Sequence, residues 1–190
     1  MIASRIGCES DAKYAIQITN VGSGYSRLTD DFLYNAWNFE GQEVFKRAVK
    51  AMAQASADVL DQAGMSLEDV KLVVPHQANK RILDALAKRI GITEDKVFVN
   101  VHKYGNTSAG TIPVALAEAL EEDRIKPGDH ILMASFGAGL TYGASLIKWS
   151  NRVIPLTTSD AELPPCEKTG LEIIASHVDR YKKHSLESVS

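Results

Sequence analysis

Apolar positions fall into regular order only after residue 40. From Gly41 onward, Val44, Phe45, Ala48, Val49, Met52, Ala55, Val59 and Leu60 recur at three- and four-residue spacing, the mark of an amphipathic helix. The pattern runs to about Ala63, and Gly64 closes it. Ser66 to Asp69 has capping-box spacing, with Asp in place of the usual Glu, so a brief helical turn is expected there. Val70–Val74 is a short continuous apolar run, as expected of a strand buried on both faces. Ala78–Ile90 returns to helical spacing, with Ile82, Leu83, Leu86 and Ile90 inward and Lys80, Arg81, Lys88 and Arg89 outward; Gly91 ends it. Val97–Val101 reads as the next strand and Ser108–Glu121 as the next helix. Pro113 lies near the start of that helix, where a missing N–H costs little. Past the Lys126-Pro127-Gly128-Asp129 turn, His130–Ser135 and Thr141–Trp149 read as two strands. The tight glycine-rich connection Phe136-Gly137-Ala138-Gly139 joins them.

An order of strand, helix, strand, helix, strand, strand implies an α/β fold, with a mostly parallel sheet and helices packed on its faces. Residues 1–40 read as an irregular N-terminal segment, with a strand candidate at Tyr14–Thr19 and turn formers from Asn20 to Ser26. After Trp149 periodicity fades. Asn151–Lys168 holds three of the six prolines and reads as an extended surface tail. Gly170–Tyr181 permits one more helix, with Leu171, Ile174, Ala175 and Val178 on one face, and His184–Ser190 is expected to fray. The chain thus divides into 1–40, a folded region at 41–150 and a C-terminal extension at 151–190.

Composition narrows the function classes. At 190 residues the chain suits one domain with a substantial core. A net charge of -3 offers no global field toward nucleic acid or an anionic membrane. No apolar run approaches the roughly 18–20 residues of a spanning helix, and the first residues lack the apolar segment of a signal peptide. Cys8 and Cys166 stand far apart and make no disulfide framework, so a reducing cytoplasm is the expected compartment.

The candidate chemistry sits at two loop-to-helix junctions. In Val74-Pro75-His76-Gln77-Ala78-Asn79 and Tyr104-Gly105-Asn106-Thr107-Ser108-Ala109-Gly110, a polar side chain follows an apolar strand and precedes a helix. Ligands of α/β sheets bind at such carboxyl ends of strands. Taken singly, His76 and Asn106 are accounted for by helix capping and turn formation. Taken together, they can aim two neutral donors at one oxygen. A helix N-terminus disfavours a cationic imidazole, which leaves His76 as a neutral hydrogen-bond donor. Such a pair stabilises an oxyanion or enolate. Phe136-Gly137-Ala138-Gly139 is equally a hairpin bend or a bare backbone approaching a substrate. His102 lies 26 residues from His76, with no carboxylate or cysteine at ligand spacing, so no metal site is expected. No Gly-rich phosphate loop occurs. Lys80, Arg81, Lys88 and Arg89 form either a solvated helix face or a dock for an acidic carrier.

These junctions, with Ile125-Lys126-Pro127-Gly128-Asp129 and Phe136-Gly137-Ala138-Gly139, resemble the C-terminal half of β-ketoacyl-acyl carrier protein synthase III, a condensing enzyme of the thiolase superfamily. The order of motifs and the 30-residue gap from His76 to Asn106 fit that family. The resemblance is strong from Gly41 to Trp149, weak but collinear over 1–40, and absent beyond about Trp149. It implies a thiolase-like half and a decarboxylative Claisen condensation in fatty acid biosynthesis, joining malonyl-acyl carrier protein to an acyl-CoA primer without a cofactor. By the resemblance, His76 and Asn106 are the donors to the malonyl thioester oxygen, and the Gly139 backbone belongs to the oxyanion hole for acyl transfer. Asn79 would contact the pantetheine arm and Arg81 would dock the carrier. Lys46, Lys88 and Arg89 are weaker candidates for the carrier or CoA surface. Phe45 and Ile82 would line the substrate tunnel.

One element of the family is missing from the pattern. Its nucleophilic cysteine lies well before the His, and neither Cys8 nor Cys166 sits on a small-residue turn opening a buried helix. Phe39-Glu40-Gly41 also replaces the family's Met-rich entry to the first long helix. The expectation is a synthase portion that needs an N-terminal half to act and homodimerises when complete. The alternative is a non-catalytic thiolase-fold subunit or a carrier-binding module.

Overall fold

The computed structural model describes residues 1–12, 14–18, 37–151, 161, 165–175 and 178. The chain divides into two compact units, Met1–Ile154 and Pro155–Ser190. In order, the first unit contains β1 (Ala3–Cys8), β2 (Ile16–Ile18), β3 (Trp37–Phe39), α1 (Gly41–Ala63), β4 (Leu72–Pro75), α2 (Lys80–Ile90), α3 (Val101–Tyr104), α4 (Thr111–Glu121), β5 (His130–Gly137) and β6 (Thr141–Lys148). In the second unit residues 170–175 are helical. Leu171 and Ile174 there are 78% and 48% exposed.

α1 forms where the three- and four-residue spacing places it. Val44, Ala48, Met52, Ala55 and Val59 are buried along one stripe. It stops because Gly64 turns left-handed (φ 62°), donating back to Leu60 and Asp61. Ser66 and Asp69 close the capping box around a single 3-10 turn. α2 starts at Lys80 rather than Ala78, because the Asn79 side chain accepts the Ile82 N–H at 3.0 Å and caps the helix there.

The main sheet has the order β1-β6-β5-β4. β4 is buried along its whole length, and its residues alternate between two cores. Val73 joins Met52, Val59, Leu86, Leu132 and Leu146 in the core with α1 and α2. Leu72 and Val74 join Phe98, Ala115, Ala119 and Ile131 in the core with α4. Helices therefore cover both faces. The expected parallel direction holds for β4 beside β5 and for a parallel bridge between Val73 and Val97. β6 runs antiparallel to β5, and β1 antiparallel to β6. The reason is length: the three residues Ala138–Leu140 can only reverse the chain, whereas a parallel return needs a crossover of a dozen or more.

Three expectations change. Described residues within 1–40 include β1, which forms a full ladder with β6, and the β2–β3 pair. β1 went unseen because it is an edge strand: Ala3 alone of its residues is buried, and Ile6 is 83% exposed, so the sequence carries no buried alternation. The turn formers of 20–26 and residues 184–190 lie outside the described residues. Ser108–Glu121 splits into a 3-10 turn, Ser108–Gly110, and α4.

Val97–Val101 is not a strand beyond its bridge at Val97. Phe98 donates to the Val73 carbonyl at 2.9 Å, but the next ladder positions are taken by a side chain. Gln77, 1% exposed, donates from Nε2 to the carbonyls of Pro75 (2.8 Å) and Phe98 (3.1 Å), and its Oε1 accepts the Asn100 N–H at 3.0 Å. With its polar groups met this way, the chain leaves the sheet and starts α3 at Val101.

Glu118 on α4 then fixes α3. Its carboxylate accepts from Asn100 Nδ2 at 2.8 Å and from the Lys103 ammonium. Those contacts, Lys103 first, hold the Glu118 carboxyl below the usual glutamate range. A depressed acid contributes stability that is present above its unfolded pKa and is lost as pH falls through the folded one. Glu118→Gln is therefore expected to flatten the loss of stability on acidification below about pH 4.3, read from urea midpoints of both proteins across that range. Parallel acid limbs would refute the assignment.

Candidate active site

Because β4 and β5 are parallel, their carboxyl ends lie at the same edge of the sheet. His76 follows β4 there, and its N–H donates to the Ala134 carbonyl of β5 at 2.8 Å. The His76 imidazole packs edge-on against the Phe136 ring, with centroids 5.5 Å apart. Its Nδ1 lies 2.6 Å from Thr111 Oγ1, at the first residue of α4. Burial pushes the His76 pKa below the ordinary histidine value, so the ring is neutral at pH 7.

Asn106 is reached from His76 through one turn of backbone. Thr111 Oγ1 is also 3.0 Å from the Ser108 carbonyl, and the Ser108 N–H donates to Asn106 Oδ1 at 2.9 Å. With Oδ1 engaged, the donor end of the Asn106 amide is the end left for a ligand. Ser108 holds φ 56°, a left-handed conformation that costs a non-glycine residue about 1–2 kcal/mol. Its bond to Asn106 is one of the contacts that keep it there.

Gly139 sits in the turn between β5 and β6 with φ 136°, where side-chain-bearing residues are strained. A Cβ there would stand 2.9 Å from Thr141 Cγ2. Gly139→Ala is expected to cost about 1–3 kcal/mol, seen as a lower urea midpoint with unchanged m; an unchanged midpoint would refute it. Cys8 ends β1 opposite Thr141, and its Sγ lies 3.8 Å from that same Cβ position. The thiol thus borders the Gly139 turn, which its sequence context did not reveal. Cys166 is exposed in the second unit.

The remaining candidates separate by location. Asn79 caps α2, and Arg81 is exposed in its first turn. Lys46, Lys88 and Arg89 are exposed. Phe45 is half-buried against the α1–α2 core, while Ile82 is 3% exposed and belongs to that core. Thr111 was missed in the sequence. Its only signal was a hydroxyl five residues past Asn106, at a helix start. No group of three or more His, Cys, Asp or Glu suited to a metal occurs among the described residues. No helix among them is long and apolar enough to cross a membrane.

Residues 60–149 match the family described as 3-oxoacyl-[acyl-carrier-protein] synthase III C terminal. A β-ketoacyl-[acyl-carrier-protein] synthase III 2 of Vibrio cholerae is 46% identical over 184 residues, which cover 97% of this chain and 51% of that protein. The synthase III of Roseiflexus castenholzii is 54% identical over 110 residues, 58% of this chain and 33% of that protein. The crystal structure of the Aquifex aeolicus synthase III aligns with a TM-score of 0.70 at 42% identity, covering 78% of this chain and 44% of that one. That from Pseudomonas aeruginosa aligns with a TM-score of 0.72 at 31% identity, covering 82% and 45%. The chain spans about half the length of the curated relatives it matches. The Vibrio alignment also corrects one expectation: at 97% coverage it must extend into the residues after Trp149, so the likeness does not end there. Residues 60–149 of this chain thus match the C-terminal region of the 3-oxoacyl-[acyl-carrier-protein] synthase III family, and the chain shares the thiolase-like α/β fold of those synthases.

Proposed function

We propose that this chain supplies the decarboxylation half of a β-ketoacyl-acyl carrier protein synthase III, an acyltransferase of fatty acid biosynthesis in the cytosol. The observation that carries the reading is one turn that meets both donors: Thr111 Oγ1 lies against Nδ1 of neutral His76, the Ser108 N–H holds Asn106 Oδ1, and the Thr111 N–H bonds the Ser108 carbonyl. A malonyl thioester on acyl carrier protein binds with its thioester oxygen between the His76 and Asn106 donors. The bond to the carboxylate breaks, CO2 leaves, and the electron pair passes into an enolate whose oxygen those donors hold. The enolate carbon attacks an acyl thioester delivered by acyl-CoA to a cysteine. The new carbon–carbon bond forms as the cysteine thiolate departs. The acyl-accepting cysteine lies in the part of the relatives that this chain does not span, and the Gly139 backbone serves that acyl transfer. Arg81, beside the Asn79 cap, receives the acidic carrier, and Asn79 its pantetheine arm. Lys46 and Phe45 are assigned to the substrate or carrier side, with Ile82 backing them from the α1–α2 core, and the assembled enzyme is a homodimer.

The test is reconstitution. The chain is mixed with the N-terminal half of the Vibrio cholerae relative, and CO2 release and condensation are followed with malonyl-acyl carrier protein and acyl-CoA. Turnover by the mixture supports the reading. Turnover by the chain in isolation that disappears on Cys8→Ser would instead make Cys8 the nucleophile. No turnover, with carrier binding that Arg81→Glu abolishes, would identify a carrier-binding module.

A further inference from the structure

We infer that Thr111 is the positioning residue that sets the tautomer of His76, its hydroxyl donating to Nδ1 so that the proton of the neutral ring stands on Nε2. The inference rests on the donor role proposed for His76 and says what enforces it. Thr111 has one hydroxyl proton and two acceptors in reach, His76 Nδ1 at 2.6 Å and the Ser108 carbonyl at 3.0 Å. The Ser108 carbonyl already accepts the Thr111 backbone N–H, so it does not depend on the hydroxyl. The imidazole nitrogen is the more basic acceptor and the nearer one. Given to Nδ1, the hydroxyl proton occupies that lone pair, and the ring's own proton must sit on Nε2.

The rest of the surroundings agree. Thr111 is 3% exposed, so its hydroxyl needs a partner inside the protein. The ring is flanked by Phe136 and carries no charge partner among the described residues; burial is the one cause of its lowered pKa. A neutral ring can donate from one nitrogen only. The hydroxyl decides which, and the same residue begins the helix that follows the Asn106 turn. Thr111 thereby couples the orientation of both donors without touching substrate.

The tautomer itself separates this arrangement from its reverse. In the reverse arrangement Nδ1–H donates to Oγ1, the hydroxyl proton turns to the Ser108 carbonyl, and Nε2 is bare. Thr111→Val removes the group that holds the ring proton on Nε2, so the variant should show both tautomers, and Thr111→Ser should restore the wild-type one.

The experiment is a pH titration of the ¹⁵N-labelled 190-residue chain, with the His76 ring nitrogens followed by long-range proton–nitrogen correlation. Wild-type spectra with a bare Nδ1 and a protonated Nε2, together with mixed tautomers in Thr111→Val, support the inference. A protonated Nδ1 in the wild type, or an unchanged tautomer in Thr111→Val, overturns it. The wild-type spectrum decides the tautomer even if the valine variant does not fold. No substrate is involved, so failure of the enzymatic reading is seen separately, in the reconstitution assay. In an active reconstituted enzyme, Thr111→Val should lower kcat by about tenfold, the worth of one hydrogen bond of about 1.4 kcal/mol. KM should stay near its wild-type value, and Thr111→Ser should recover the rate.

Discussion

Truncating His76 to alanine is expected to slow malonyl decarboxylation in the reconstituted enzyme by about 10²- to 10³-fold, the loss typical of one oxyanion donor. Asn106→Ala should cost a similar factor. The double variant is the informative one. If both donors hold one oxygen, removing the second after the first costs less than it does from the intact site, because the enolate is already poorly held. Two independent roles would multiply instead. A single-variant rate within twofold of wild type would remove His76 from the proposed site.

Gln77→Leu is expected to produce the largest stability loss, about 2–6 kcal/mol, read from urea unfolding. The side chain is 1% exposed and meets three backbone groups across two segments. Leucine fills the space but leaves the Phe98 carbonyl and the Asn100 N–H without their partner, at about 1–3 kcal/mol for each buried group. The damage should concentrate in residues 98–104. Hydrogen exchange of Asn100 and of the α3 amides should speed up well before that of α1. Because Gln77 adjoins His76, the same variant should also weaken the proposed site. Uniform exchange behaviour across the chain would show that Gln77 acts only through general packing.

Much of this molecule is written in local pattern. The α1 stripe, the Gly64 stop, the Ser66–Asp69 box, the fully apolar β4 and the antiparallel β5–β6 return all follow from spacing and turn chemistry within a few residues. So does the placement of His76 at the end of β4, since an apolar strand followed by a polar cap marks a sheet edge in any α/β chain; Asn106 instead follows α3, because the strand expected at Val97–Val101 does not form. Tertiary structure decided what depends on partners distant in sequence. β1 is a strand because β6 offers it a ladder, not because its own residues alternate. Residues 98–101 leave the sheet because Gln77, twenty-one positions before Phe98, takes the hydrogen bonds a strand would have used. Cys8 borders Gly139 because antiparallel pairing brings the end of β1 to the start of β6. Thr111 is joined to His76 across 35 residues, a contact that no local periodicity encodes. Periodicity reports which face of an element is buried. Hydrogen-bond partnership between elements is settled only once the core has packed and each buried polar group must find an acceptor or donor within reach.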